Sequence, residues 1–215
     1  MTTTPKTLTT DEAEKLLTAL KGEPVTSKQK VKTIRNHTIA LLMLDAGLRV
    51  GEVVHLNIED LYFLNEPRYQ LRVTESIAKN KTERIVPLSN RIRKAIEAMQ
   101  VHVWSNQPPF VPAFFHEYKK GYRILTTRQV ERIIRAAAMK SLGRPVHPHM
   151  LRHTFGTRLM RTTNSRVVQE LLGHSSMTST QIYTHPNEDD KRKAIDQLGQ
   201  GEIETGQPAA ASSTH

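Results

Sequence analysis

The chain has 215 residues, 37% of them hydrophobic, and carries 31 Lys and Arg against 21 Asp and Glu for a formal net charge of +10. The length fits one domain of ordinary size with a small appendage, and the absence of Cys excludes disulfides and thiolate metal sites. The positive excess fits a polyanionic partner, nucleic acid first, or a basic but otherwise ordinary protein. The longest apolar run, Ile39 to Leu44, is far too short to cross a membrane, and the opening MTTTPKTLTTDE has no signal pattern, so a cytoplasmic protein with no membrane contact is expected.

Residues 1–8 read as a flexible tail, 9–198 as the folded domain, and the Gly-, Pro-, Ala- and Ser-rich residues 199–215 as a disordered tail. LTTDEAEKLLTAL predicts a helix: Thr9 and Glu12 fit a capping box, and Leu16, Leu17 and Leu20 form an apolar stripe. GEPVTSKQK reads as a loop. From about Val31 to Asp45 a longer helix follows whose second half is apolar nearly all round and should be buried. Ala46-Gly47 ends it, and a new helix runs from Arg49 or Val50 to about Leu56.

YQLRVTES and ERIVPLS are short, alternating and rich in β-branched residues, which predicts two strands joined at the hairpin tip IAKNKTE. A helix is expected over Asn90–Val103, then an irregular loop, SNQPPFVPAFFHEYKKGYRI. TTRQVERIIRAAAMKSL reads as a capped helix ending at Gly143, and HPHMLRHTFGTRLMR as another with Pro148 near its start. SRVVQELLG follows, with Ser165 as N-cap and Gly173 closing the helix. Ser175 or Ser176 would cap a short helix leading to Tyr183, and a last amphipathic helix is expected over about Glu188–Leu198. The fold class is therefore α+β, mainly helical, with a small antiparallel β-sheet.

Several groups invite chemistry, each with a plainer reading beside it. His149 and Arg152, three apart at a helix start, suit an anion, or are a surface pair on a basic helix. His174 follows a helix-ending Gly and is a turn residue or a site group; Tyr183 is a half-buried core aromatic or a site group. Arg49 has apolar neighbours and needs a partner, for which Glu52 is a candidate. Lys79 lies near the hairpin tip, where Lys81 and Arg84 are as basic. His147, His149 and His153 lack the intervening Glu of a zinc protease, the acids do not cluster as in two-metal nucleases, and no Gly-rich phosphate loop is present, so neither metal nor nucleotide cofactor is expected.

Taken in order, GLRVGEVVHL, AKNKTERIVPL, HPHMLRHTFGTRL, LLGHSS and TQIYTH resemble the tyrosine recombinase, or phage integrase, family, over nearly all the folded part. The resemblance implies the catalytic-domain fold of that family, with Arg49, Lys79, His149, Arg152 and His174 as catalytic residues, Tyr183 as nucleophile and Glu52 supporting Arg49. It implies a tyrosine that attacks a DNA phosphodiester, arginines on the non-bridging oxygens, Lys79 as general acid and His149 as proton acceptor or orienter, without metal, ATP or cofactor. The partners implied are double-stranded DNA, a homo-tetramer on two DNA sites, and accessory DNA-bending proteins. Gly51 stands where many relatives have Ser, and Asn80 where many have Gly. About forty residues precede Arg49, so no separate N-terminal core-binding domain is expected, as in the short fimbrial-switch recombinases. A type IB topoisomerase and a catalytically silent DNA-binding regulator stay open as alternatives.

Overall fold

A computed structural model of the chain describes residues 7–78, 83–118 and 121–173. The hairpin tip with Lys79, the segment with His174 and Tyr183, the expected final helix and the C-terminal tail lie outside the described residues. No helix among the described residues is long and apolar enough to cross a membrane.

Leu8, expected in the tail, is buried, and its N–H donates to the Thr154 hydroxyl at 2.9 Å. Helix α1 (Thr10–Lys21) opens with the expected capping box: the Glu12 N–H donates to Thr9 Oγ1 and the Thr9 N–H to Glu12 Oε2. Its stripe of Leu16, Leu17 and Leu20 is buried. Helix α2 (Ser27–Asp45) starts four residues before the expected Val31. Thr26 and Gln29 form a second capping box there, in a lysine-rich turn with no apolar stripe to advertise it. Every residue from Thr38 to Leu44 is buried, so α2 is the central rod against which α1, α5 and α7 pack.

Helices α3 (Val50–Val54) and α4 (Ile58–Leu61) follow, then a hairpin of β1 (Tyr62–Phe63) and β2 (Glu66–Pro67) that the sequence did not reveal. Its turn residues Leu64 and Asn65 both have positive φ, the primed-turn geometry that Leu signals poorly. Strands β3 (Gln70–Val73) and β4 (Arg84–Pro87) pair antiparallel as expected, with Leu71 opposite Val86 and Val73 opposite Arg84. Those four side chains share the buried face, so Arg84 occupies a core position while Ile85 is turned outward.

Helix α5 (Asn90–Met99) runs on through a π-helical turn over Gln100–Trp104, whose indole N–H donates to the Ala113 carbonyl. The stretch expected to be an irregular loop holds a third antiparallel hairpin, β5 (Phe115–Tyr118) and β6 (Gly121–Ile124), with Phe115 edge-on to Tyr122. Strand β6 is exposed along its whole length, so it has no alternation of buried and exposed positions to show. Among the described residues three two-stranded sheets thus stand where one small sheet was expected. Helix α6 (Thr127–Leu142) ends at Gly143, and α7 (Pro148–Met160) begins at Pro148, both as expected. Helix α8 (Ser165–Leu172) is capped by Asn164, whose Oδ1 accepts from the Val167 N–H; Ser165 is its first helical residue and not its cap.

Candidate active site

The site begins where α2 stops. Gly47 adopts φ +63, and a Cβ there would lie 2.3 Å from Phe155 Cδ1, so a glycine is required for the chain to turn beneath α7. The turn sends Leu48 into the core and delivers Arg49 as the N-cap of α3. The Arg49 N–H donates to Glu52 Oε2 at 2.8 Å, and its Nη1 donates to Glu52 Oε1 at 2.9 Å. One carboxylate thereby fixes both the backbone and the head of Arg49, whose side chain is 15% exposed against 1% for Glu52.

Glu52 has a second cation. From β4, Arg84 grips it with a fork, Nη1 to Oε1 at 3.0 Å and Nη2 to Oε2 at 2.7 Å. Burial on its own would push the Glu52 carboxyl up, but the hydrogen bonds and charge of Arg84, with the N–H and head of Arg49, hold it below the usual carboxylate range. The third arm of Arg84, Nε, donates to the Leu171 carbonyl at 2.9 Å.

Arg152 completes the cluster from the second turn of α7. It is buried, with Nη1 donating to the Gly47 carbonyl and Nη2 to the Leu172 carbonyl. The carbonyls of Leu171 and Leu172 belong to the last turn of α8, whose acceptors have no partner within the helix. Two guanidinium groups satisfy them, at the negative end of the helix dipole. Gly173 then closes the helix at φ +59, a left-handed conformation that favours glycine, packed against Arg84: a Cβ there would lie 3.1 Å from Arg84 Cδ.

Four residues are thus interlocked: Arg49, Glu52 and Arg152 from the sequence, and Arg84, which the sequence reading passed over. Two guanidinium groups, those of Arg49 and Arg84, grip one carboxylate, a local excess of one positive charge, and a third, that of Arg152, is tied to the same turn through the Gly47 carbonyl; guanidinium groups suit an anion with fork-shaped recognition. His149 is exposed, one turn before Arg152 on α7. Lys79, His174 and Tyr183 lie outside the described residues, but two of their flanks are tied in: Arg84 is five residues after Lys79, and Gly173 directly precedes His174. Strand alternation was the signal that would have found Arg84, since a position sharing a face with Val86 must bury its charge and find a carboxylate. Among the described residues no group of three or more His, Asp or Glu stands close enough to hold a metal ion.

Residues 6–190 match the phage integrase family. The chain is 39% identical over 193 residues to the tyrosine recombinase XerC of Thermodesulfovibrio yellowstonii, covering 84% of this chain and 58% of that protein. Against the XerC of Proteus mirabilis it is 35% identical over 186 residues, covering 84% and 55%. It therefore spans a little over half the length of the curated relatives it matches. Its fold superposes on the crystal structure of XerA recombinase with a TM-score of 0.72 at 29% identity, over 91% of this chain and 66% of that one. On the XerH site-specific recombinase bound to palindromic difH substrate, in the post-cleavage complex, the TM-score is 0.65 at 27% identity, over 89% and 52%.

Proposed function

Since this chain belongs to the phage integrase family, we propose that it is a site-specific recombinase that cuts and rejoins double-stranded DNA through a 3′-phosphotyrosyl bond to Tyr183. The observation that carries the reading is the linkage of Arg49 to Arg152 through one turn. Arg152 holds the carbonyl of Gly47, two residues before Arg49, so two guanidinium groups from different helices are held on a common backbone.

In the proposed reaction the Tyr183 oxygen attacks phosphorus, a P–O(Tyr) bond forms and the P–O5′ bond breaks. Extra negative charge appears on the non-bridging oxygens, where Arg49, Arg152 and His174 donate; each preorganised donor of this kind is worth about 3–4 kcal/mol of barrier. The departing 5′-oxygen takes a proton from Lys79, and the phenol, with an ordinary pKa of about 10, gives its proton to His149. The exposure of His149 supports its access to substrate. A second strand's 5′-hydroxyl then reverses the sequence. The energy of the broken diester is kept in the phosphotyrosine, so no ATP enters the balance.

The palindromic substrate of XerH supports a DNA site of two half-sites, each occupied by one protomer, and a tetramer on two sites. Accessory DNA-bending proteins would add grip, and the reaction would take place in the cytoplasm on nucleoid DNA. The test is a nicked duplex copy of the target site, which traps the intermediate because the released strand diffuses away. Wild type should give a covalent protein–DNA band on a denaturing gel and Tyr183→Phe none. No band with wild type, or a band that survives Tyr183→Phe, would overturn the proposal.

A further inference from the structure

Three parts of the site meet on Arg84. It opens β4, on the strand leading out of the hairpin that carries Lys79. It forks both oxygens of Glu52, which in turn orients Arg49. Its Nε holds the Leu171 carbonyl, three residues before His174.

The charges pose a problem that Arg84 resolves. A buried carboxylate that orients Arg49 also cancels it: one glutamate against one arginine sums to zero, and a neutral pair offers a phosphate little attraction. With Arg84 the count is two guanidinium groups against one carboxylate, and the trio keeps one net positive charge. The division of labour is visible in the contacts. Arg84, 3% exposed, gives Glu52 two side-chain hydrogen bonds, whereas Arg49, 15% exposed, gives it one and keeps the more open position.

We propose that Arg84 is a positioning residue that takes up the charge of Glu52, so that Glu52 orients Arg49 without neutralising it toward the scissile phosphate. Arg84 itself stays beneath the reacting atoms. The inference rests on the recombinase reading above and deepens it. A lysine in its place would keep the charge but lose the fork and the bond to Leu171.

A double-mutant comparison separates this role from packing. Wild type, R84M, E52Q and R84M/E52Q are compared for the rate of covalent adduct formation on the nicked duplex, with duplex binding followed by gel shift. R84M should slow the adduct roughly 10- to 100-fold, as loss of a supporting residue does, with binding to the duplex retained. Removing the carboxylate's charge as well should speed the reaction again, so that R84M/E52Q is faster than R84M; R84K should fall between wild type and R84M. A double variant as slow as R84M, or slower, reduces Arg84 to packing and overturns the proposal. Where R84M does not fold, R84Q takes its place in the same comparison. The ¹³C titration of the Glu52 carboxyl gives a readout independent of activity: it should move to higher pH in R84M. Wild type that forms no adduct defeats the recombinase reading, and an unchanged Glu52 titration then defeats the Arg84 proposal separately.

Discussion

The Arg152 guanidinium reaches from α7 to the backbone carbonyl of Gly47, so the turn that delivers Arg49 is tied directly to the helix that carries Arg152. The contact requires α7 to lie almost on the chain at Gly47. A methyl group there would sit 2.3 Å from one Phe155 ring atom and 2.6 Å from the next, in a left-handed conformation that L side chains avoid. A phenyl ring in a packed position does not yield by bending. Gly47→Ala should therefore destabilise the fold by about 2–5 kcal/mol, from overpacking and backbone strain together. Urea unfolding measures it, and a loss below about 1 kcal/mol would show that α7 can shift away from the turn.

Much of this arrangement was legible in the sequence. The capping box at Thr9, the buried second half of α2, the Gly47 stop, the β3–β4 pairing and the Pro148 start all follow from local rules, because each signal lies within a few residues. The early start of α2, the β1–β2 hairpin and the β5–β6 hairpin were not, since a lysine-rich first turn, two-residue strands and a strand exposed along its whole length, as β6 is, leave no alternation of buried and exposed positions to read. Arg49–Glu52 was foreseen as an i,i+3 pair. Arg84 was not, since its partner is 32 residues away and only the fold brings them together.

Arg152 also bears on α8. With Arg84 it satisfies the carbonyls of Leu172 and Leu171, the end of the helix that leads to His174. Lysine has one donor centre and cannot span the Gly47 and Leu172 carbonyls with a rigid fork. Arg152→Lys should leave one of these buried acceptors unpaired, at a cost of about 1–3 kcal/mol. The effect should be local. Hydrogen–deuterium exchange should quicken over the last turn of α8, Val168 to Gly173, with α1 unaffected; exchange unchanged along α8 would mean that Arg84 alone anchors it.

Acid should test the Glu52 cluster. Its carboxyl is held below 4.5 when folded, by Arg84 and Arg49 acting against burial. A depressed carboxylate contributes stability that is fully present above the unfolded value and is lost as pH falls through the folded one. The cluster should therefore stabilise the protein fully at neutral pH and lose that contribution progressively in acid, as pH falls from the ordinary carboxylate range through the lowered folded value. Glu52→Gln should flatten the acid limb of a stability–pH curve. Glu12, lowered against burial by its bonds to Thr9 and Arg144, adds to the same limb and can be subtracted with Glu12→Gln. Glu52→Ala at neutral pH leaves two cations without their carboxylate and should cost about 3–5 kcal/mol. An acid limb identical in wild type and Glu52→Gln would refute this account.

The second glycine of AGLRVGEVV behaves oppositely to the first. Gly51 lies in the first turn of α3, and a Cβ there would meet nothing within 4 Å. It has no positive φ to preserve. Helical glycine costs stability chiefly because the unfolded chain has more freedom to lose. Gly51→Ala should accordingly stabilise the protein by about 0.5–1 kcal/mol. Since α3 carries Glu52 one residue on, a stiffer first turn should also hold the carboxylate more firmly against Arg49. Thermal unfolding of Gly51→Ala beside Gly47→Ala, four positions apart in one motif, should therefore give shifts of opposite sign. A destabilised Gly51→Ala would mean that the open face of α3 is occupied when the protein works, and the same variant in a duplex-binding assay would then show weaker binding.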